Sequence, residues 1–329
     1  MRTVDIHSHL LNPDVRFDRL YDKITICFFA KKLGVDPAQL QRDPYGAFVT
    51  SMAKNIAQSE YLERACIFGV DSRLDRAGRE IDRDSTICAM TSSVVEVAAR
   101  YPDLFIPFMS INPRRRNALD LIDEYVGQGC RGAKFLQNYW RVDLNDRCFV
   151  PYYEKLKSHN LPLIIHIGSE YSIDSDARYE RADMLRLPLE TGLTVIAAHM
   201  GLGRISHKLR FWRNLSRNPK TFDEDYFTLL GMLQSYANLY ADISAILVPL
   251  RARALRHLSQ QQEIHHKLLF GTDYPVPFTI RFNTHDLSSA ESRRIDAISN
   301  PFDRYVQTIL AYFPEENPLY TNYKKILSD

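Results

Sequence analysis

Eight short apolar runs, at 3–10, 65–71, 105–112, 132–136, 161–168, 193–201, 239–244 and 267–273, are spread along the 329 residues of this chain, with segments of helical periodicity between them. Several of the runs are apolar throughout rather than at alternate positions, the pattern of parallel strands buried on both faces. Leu119, Ile122 and Val126 mark one helical face before Gly127 and Gly129 end it. The stretch 151–158 reads as another helix, closed by Asn160 and followed by Pro162, and Phe302, Tyr305, Val306, Ile309, Leu310 and Phe313 repeat at helical spacing. Strands alternating with helices, without a linker-like stretch, predict an α/β fold: one (β/α)8 TIM barrel over residues 1–329. No internal repeat or low-complexity tract interrupts it.

Two connections are longer than a barrel needs. Residues 11–60 follow the first strand. Residues 203–237 follow the sixth and include Phe211, Trp212, Phe222, Tyr226 and Phe227. Both are predicted as helical insertions on the C-terminal face of the strands, where barrel active sites form.

Metal-competent side chains stand at the C-terminal ends of the apolar runs. The first run carries Val4-Asp5-Ile6-His7-Ser8-His9, and alternate strand residues share a face, so His7 and His9 project together, about 6–7 Å apart along the strand. His166 ends the fifth run, His199 the sixth and Asp273 the eighth. Each has a structural alternative when taken singly: a solvated strand end for His7 and His9, a hydrogen-bonded core histidine for His166 or His199, a turn cap for Asp273 before Tyr274-Pro275. Five such residues at strand ends, in this order, are not a packing pattern.

Composition excludes several classes. A net charge of +2 gives no drive toward nucleic acid or an anionic membrane, and Arg114-Arg115-Arg116 is too short a basic run to be a footprint. No apolar run approaches the roughly 18–20 residues of a membrane helix. The five cysteines, Cys27, Cys66, Cys88, Cys130 and Cys148, form no Cys-x-x-Cys, which suits a reduced compartment. The chain enters a strand almost at once, so a cleaved signal peptide is not expected, and the location expected is cytoplasmic.

The motifs resemble the amidohydrolase superfamily, in the amidohydrolase-related branch with aminocarboxymuconate-semialdehyde decarboxylase. The residues that carry the resemblance are Asp5-Ile6-His7-Ser8-His9, Gly132-Ala133-Lys134-Phe135-Leu136, Ile165-His166, Ala198-His199-Met200-Gly201 and Phe270-Gly271-Thr272-Asp273-Tyr274-Pro275, with Asn322 to Leu327 similar to the family's C-terminal helix. The resemblance implies a divalent metal, usually Zn2+, on His7, His9, His166 and Asp273. Imidazole nitrogen and carboxylate oxygen without thiolate suit zinc, and also Mn2+, Fe2+ or Co2+. It further implies that Asp273 moves a proton and that His199 acts as base or electrophile. Lys134 is expected to bind substrate or fix His166 beside a single metal; with two metals it would be a carboxylated bridge.

Further substrate-facing candidates follow the strands: Tyr139 and Arg141 after the fourth, Arg204 after the sixth, His285 after the eighth. Arginine with aromatic rings at a barrel mouth suits a planar, carboxylated small molecule. His159, His207, His257, His265 and His266 receive no role. The leading expectation is metal-dependent hydrolysis of a small amide, lactone or ester by metal-activated water. The alternative is a metal-dependent, non-oxidative decarboxylase of an aromatic or muconate-type acid, since the same ligands serve both. A purely structural metal ranks last, because such sites are closed and cysteine-rich. The resemblance also implies a homodimer, although no apolar surface stripe in the sequence argues for one.

Overall fold

A computed structural model describes residues 1–14, 30, 34–81, 88–206, 208–280 and 286–327. Its frame is eight strands: β1 Thr3–His9, β2 Leu62–Phe68, β3 Phe105–Pro107, β4 Ala133–Phe135, β5 Leu163–His166, β6 Val195–Ala198, β7 Leu239–Asp242 and β8 Leu268–Leu269. β1, β2 and β3 pair in parallel as one sheet, and β4 to β8 pair in sequential order as the other. Backbone hydrogen bonds join the two sheets at both edges. Lys134 N donates to Met109 O at 2.8 Å on one side; Ile6 N donates to Phe270 O at 3.0 Å and Asp273 N to His7 O at 2.8 Å on the other. The fold is the expected TIM barrel.

Apolar residues sort into two layers. Val4, Ile6, Cys66, Phe68, Ile106, Phe108, Ile164, Ile196, Ala198 and Leu269 form an inner cluster contributed by alternate strand positions. A larger cluster packs the other strand faces against the helices. Strands buried on both faces explain why the apolar runs do not alternate.

Local chemistry sets the helix starts. Asp36-Pro37, Asp43-Pro44 and Asn300-Pro301 each put an oxygen acceptor at the cap and proline in the first turn. They open Pro37–Arg42, Pro44–Ala57 and Pro301–Ile309. The helices expected near 117–126 and 151–158 are Ala118–Gly127 and Val150–Ser158. The first long connection carries Pro37–Arg42 and Pro44–Ala57, and the second carries Glu224–Ser235 after two short 3-10 turns.

Three details differ from the sequence reading. The strands are shorter than the apolar runs, because several of the runs continue as loops at the barrel rim. A two-residue antiparallel hairpin, Arg73–Leu74 with Glu80–Ile81, is too short to leave a periodicity. The C-terminal stretch forms a 3-10 turn, Asn322–Lys325, rather than an α-helix. Asn322 Nδ2 donates to His265 O and Leu268 O there, spending its side chain on tying the turn under β8. No helix among the described residues is long and apolar enough to cross a membrane.

Candidate metal centre

The register of β1 against β2 shifts between Asp5 and Ser8. Such an irregularity re-aims side chains next to active sites. Ile6 belongs to the inner cluster, yet the His7 and His9 rings also pack on Phe68 of that cluster, at 4.9 and 4.7 Å between centroids. Asp5 holds the shift in place. Its carboxylate accepts from His7 N at 3.0 Å, Ser8 Oγ at 2.9 Å, Thr272 N at 3.0 Å and Thr272 Oγ1 at 2.5 Å, pinning β1 to the segment after β8. Burial nevertheless pushes the Asp5 carboxyl up to about 6.

Asp273 leaves β8 on a left-handed residue, φ 65°, and His199 leaves β6 the same way, φ 63°. For non-glycine residues this conformation costs about 1–2 kcal/mol, and it concentrates at functional sites. Gly271 allows the close approach: a Cβ there would stand 3.0 Å from His7 Cβ and 3.3 Å from Ser244 Cβ.

The result is a group of three donors. Asp273 Oδ1 lies 3.4 Å from His7 Nε2 and 3.4 Å from His9 Nε2. One donor atom from each of the three residues falls within 4.8 Å of the others. Burial lowers the pKa of both imidazoles, His7 to about 4, with the Lys134 charge adding to the effect, so both are neutral near pH 7. Lone pairs on two neutral imidazoles and a carboxylate facing one another at this range need a cation or a proton between them. The donor set therefore fits a divalent ion of the zinc or manganese type.

A further carboxylate organises the group. Asp242, at the end of β7, accepts from His7 Nδ1 at 2.8 Å and from the Ser244 hydroxyl. Burial opposes ionisation there, but the His7 contact and Ser244 hold Asp242 below its ordinary value. His199 Nδ1 lies 2.8 Å from Ser244 Oγ and 3.2 Å from the Ser244 carbonyl, which only accepts, so Nδ1 carries the proton. Asp242 thus fixes His7 directly and His199 through Ser244, leaving Nε2 of each ring with its lone pair.

The other expected residues are placed as follows. His166 packs on His199 at 4.7 Å between ring centroids, donates Nε2–H to Gly168 O at 3.0 Å, and stands outside the three-residue group. Its free Nδ1 faces Glu170 at 3.8 Å. Lys134 is fully buried, with Nζ 3.4 Å from His7 Nε2; burial lowers it to about 8 against the pull of Asp242 and Asp273. Tyr139 is enclosed in the core with Arg73 over its ring at 4.7 Å. Arg141 is half-exposed and paired with Asp174 at 3.1 Å, and Arg204 is 4.0 Å from Asp225. His285 lies outside the described residues. Sequence reasoning passed over Asp242, although it ends a strand as His166 and His199 do, and Arg251, which sits in a short helix beyond β7. A cavity of about 920 Å3 at the opposite, N-terminal end of the strands is lined by Arg64, Phe105 and Tyr323, and among the described residues no cluster of three metal-competent side chains lies there.

The amidohydrolase family model matches residues 4–280, most of the chain, and the protein belongs to that family. No curated protein matches it. Solved structures show the fold at low identity. A TIM-barrel protein from Bordetella bronchiseptica is 17% identical with a TM-score of 0.54, over 94% of this chain and 99% of that one. A probable 2-pyrone-4,6-dicarboxylic acid hydrolase from Acinetobacter baumannii, crystallised with citric acid, is 14% identical with a TM-score of 0.53, over 99% of both chains. A 5-carboxyvanillate decarboxylase from Sphingomonas paucimobilis is 14% identical with a TM-score of 0.51, over 99% of this chain and 98% of that one.

Proposed function

We propose that this protein is a metal-dependent hydrolase of a small carbonyl substrate, an amide, lactone or ester. The observation that carries the reading is the convergence of His7 Nε2, His9 Nε2 and Asp273 Oδ1. These three would hold one divalent metal, while His166, the further ligand that the sequence offers, stands outside the group and packs on His199. Such an ion supplies Lewis acidity toward a carbonyl oxygen and toward water.

The chain's own residues do the rest. Asp242 holds the His7 proton on Nδ1, so Nε2 stays available as a donor. Asp273 has its second oxygen, Oδ2, 3.9 Å from His199 Nδ1. Burial raises the Asp273 carboxyl against the Arg251 and Lys134 charges, and a carboxylate placed among the donors can take a proton and give it back. His199, with its proton fixed on Nδ1, offers Nε2 as acceptor for a second transfer. Decarboxylation of an aromatic or muconate-type acid is the alternative, with His199 delivering a proton to the ring carbon. Hydrolysis is preferred because a carboxylate that can cycle a proton stands among the donors.

The test is turnover of a panel of lactones, amides, esters and aromatic acids, with carbon dioxide release monitored, before and after metal removal by chelation. Metal-dependent hydrolysis without carbon dioxide supports the proposal. Carbon dioxide as a product selects the alternative, and turnover indifferent to chelation rejects both.

A further inference from the structure

The net charge of +2 conceals an uneven distribution. Between Glu190 and Asp223 the chain has no acidic residue, yet it carries Arg204, Lys208, Arg210, Arg213, Arg217 and Lys220. Two of these meet a carboxylate: Arg217 pairs with Asp286 at 3.0 Å, and Arg204 lies 4.0 Å from Asp225. Lys208, Arg210, Arg213 and Lys220 are exposed and have no carboxylate within 4.0 Å among the described residues. Leu209, Phe211 and Trp212 are interleaved with them, exposed by 101%, 49% and 56%. Large apolar side chains exposed singly are ordinary on a protein surface, but three within four positions form a patch.

The patch is the tip of a held protrusion. Asn214 is fully buried, and its Oδ1 accepts from Ser206 N at 3.0 Å and from Ser206 Oγ at 3.1 Å, closing the base of the loop. The 3-10 turn Phe211–Leu215 packs on the short helix Pro249–Ala252 after β7. Every described side chain from 208 to 213 is exposed, whereas Leu215, Ser216 and Arg217 are partly covered. The stem leaves β6 and rests on an element that leaves β7, so the tip belongs to the end of the barrel that carries the metal donors.

Cations and large apolar side chains at one tip call for a partner that offers negative charge and an apolar interior together. An anionic lipid surface does so: Lys and Arg meet the headgroups while Leu, Phe and Trp enter the acyl boundary. A second copy related by a two-fold axis would set the patch against itself and bring like charges together. Single-stranded nucleic acid would stack on the rings but gives the aliphatic Leu209, the most exposed of the three, nothing to do. We propose that the tip at residues 208–213 docks this protein onto an anionic lipid surface, with Lys208, Arg210 and Arg213 at the lipid phosphates and Leu209, Phe211 and Trp212 in the acyl boundary. The docking does not depend on which reaction the metal site performs.

The chain has two tryptophans, and Trp140 is buried with Nε1 donating to Asp71 O at 2.8 Å, so a change in emission reports Trp212. The experiment follows tryptophan emission and co-sedimentation of the whole protein with vesicles of phosphatidylcholine alone and of equal parts phosphatidylcholine and phosphatidylglycerol. Wild type should bind the mixed vesicles at least about tenfold more tightly, with a blue-shifted emission that added salt reverses. The triple variant K208Q/R210Q/R213Q should lose about 100-fold in affinity, about fivefold for each cation. The variant L209S/F211S should lose at least about tenfold and keep the salt dependence. All five positions are exposed, and far-ultraviolet circular dichroism should show both variants folded. Soluble glycerophosphoglycerol should leave the emission unchanged. A shift with that headgroup alone would assign the patch to a small phosphate ligand, and a shift on concentrating the protein without vesicles would assign it to a second copy; either overturns the proposal. Equal or absent binding to the two kinds of vesicle, binding without a blue shift, or unchanged binding in either variant overturns it as well.

Discussion

His7 Nδ1 and the Asp242 carboxylate lie 2.8 Å apart, both fully buried. The contact decides which nitrogen of His7 is free, and it places the ionised acid behind the ring rather than in the donor group. Ser244 extends the same control to His199. One carboxylate at the end of β7 therefore sets two rings contributed by β1 and β6.

Asp242→Asn should disturb that control without removing a donor. The amide can present N–H to His7 Nδ1 and favour the wrong tautomer. Metal affinity is expected to fall about 10- to 100-fold with the fold intact. Competition titration with a chromophoric chelator reads this, and unchanged affinity would remove Asp242 from the account.

His199→Asn should separate binding from chemistry. The ring lies outside the three-donor group, so metal content should stay at the wild-type level while kcat drops about 100- to 10,000-fold. Loss of metal in this variant would instead make His199 a ligand.

Asp5 is a structural acid with a pH signature. Burial holds its folded pKa near 6, above the ordinary 3.8. The folded state therefore retains the proton that the unfolded chain gives up, and stability falls as pH rises from about 4 through 6. The contribution of this group alone is about 3 kcal/mol. Chemical denaturation across that window reads it. Asp5→Asn abolishes that component of the slope and, by turning an N–H toward four donors, should lower stability at pH 7 by about 2–3 kcal/mol. A slope retained in Asp5→Asn would assign it to other groups.

Much of the site is legible in the sequence because strand ends are. His7, His9, His166, His199 and Asp273 each close an apolar run, and a parallel barrel brings run ends to one rim. What the sequence does not show is which of them converge. The shift in β1 that turns both His7 and His9 toward Phe68 depends on Asp5 meeting Thr272, a contact 267 residues away. Asp242 has the same strand-end position but reads as an ordinary polar terminus until His7 is placed beside it. Arg251 is hidden for another reason. It follows β7 inside an apolar and basic stretch, and among the described residues it has no carboxylate within 4.0 Å, whereas Arg253 two residues later pairs with Asp223. Tyr139 shows the converse: in sequence it follows a strand as a mouth residue would, but the turn at Gln137–Trp140 folds its ring into the core.

The central claim is that His7, His9 and Asp273 form a metal site. Elemental analysis of protein purified without added metal, beside His7→Ala and Asp273→Ala, tests it most directly. The account predicts about one equivalent of zinc or manganese in the wild type and its loss in both variants, with secondary structure retained. No metal in the wild type and none taken up on addition, or equal metal in the folded variants, would contradict it.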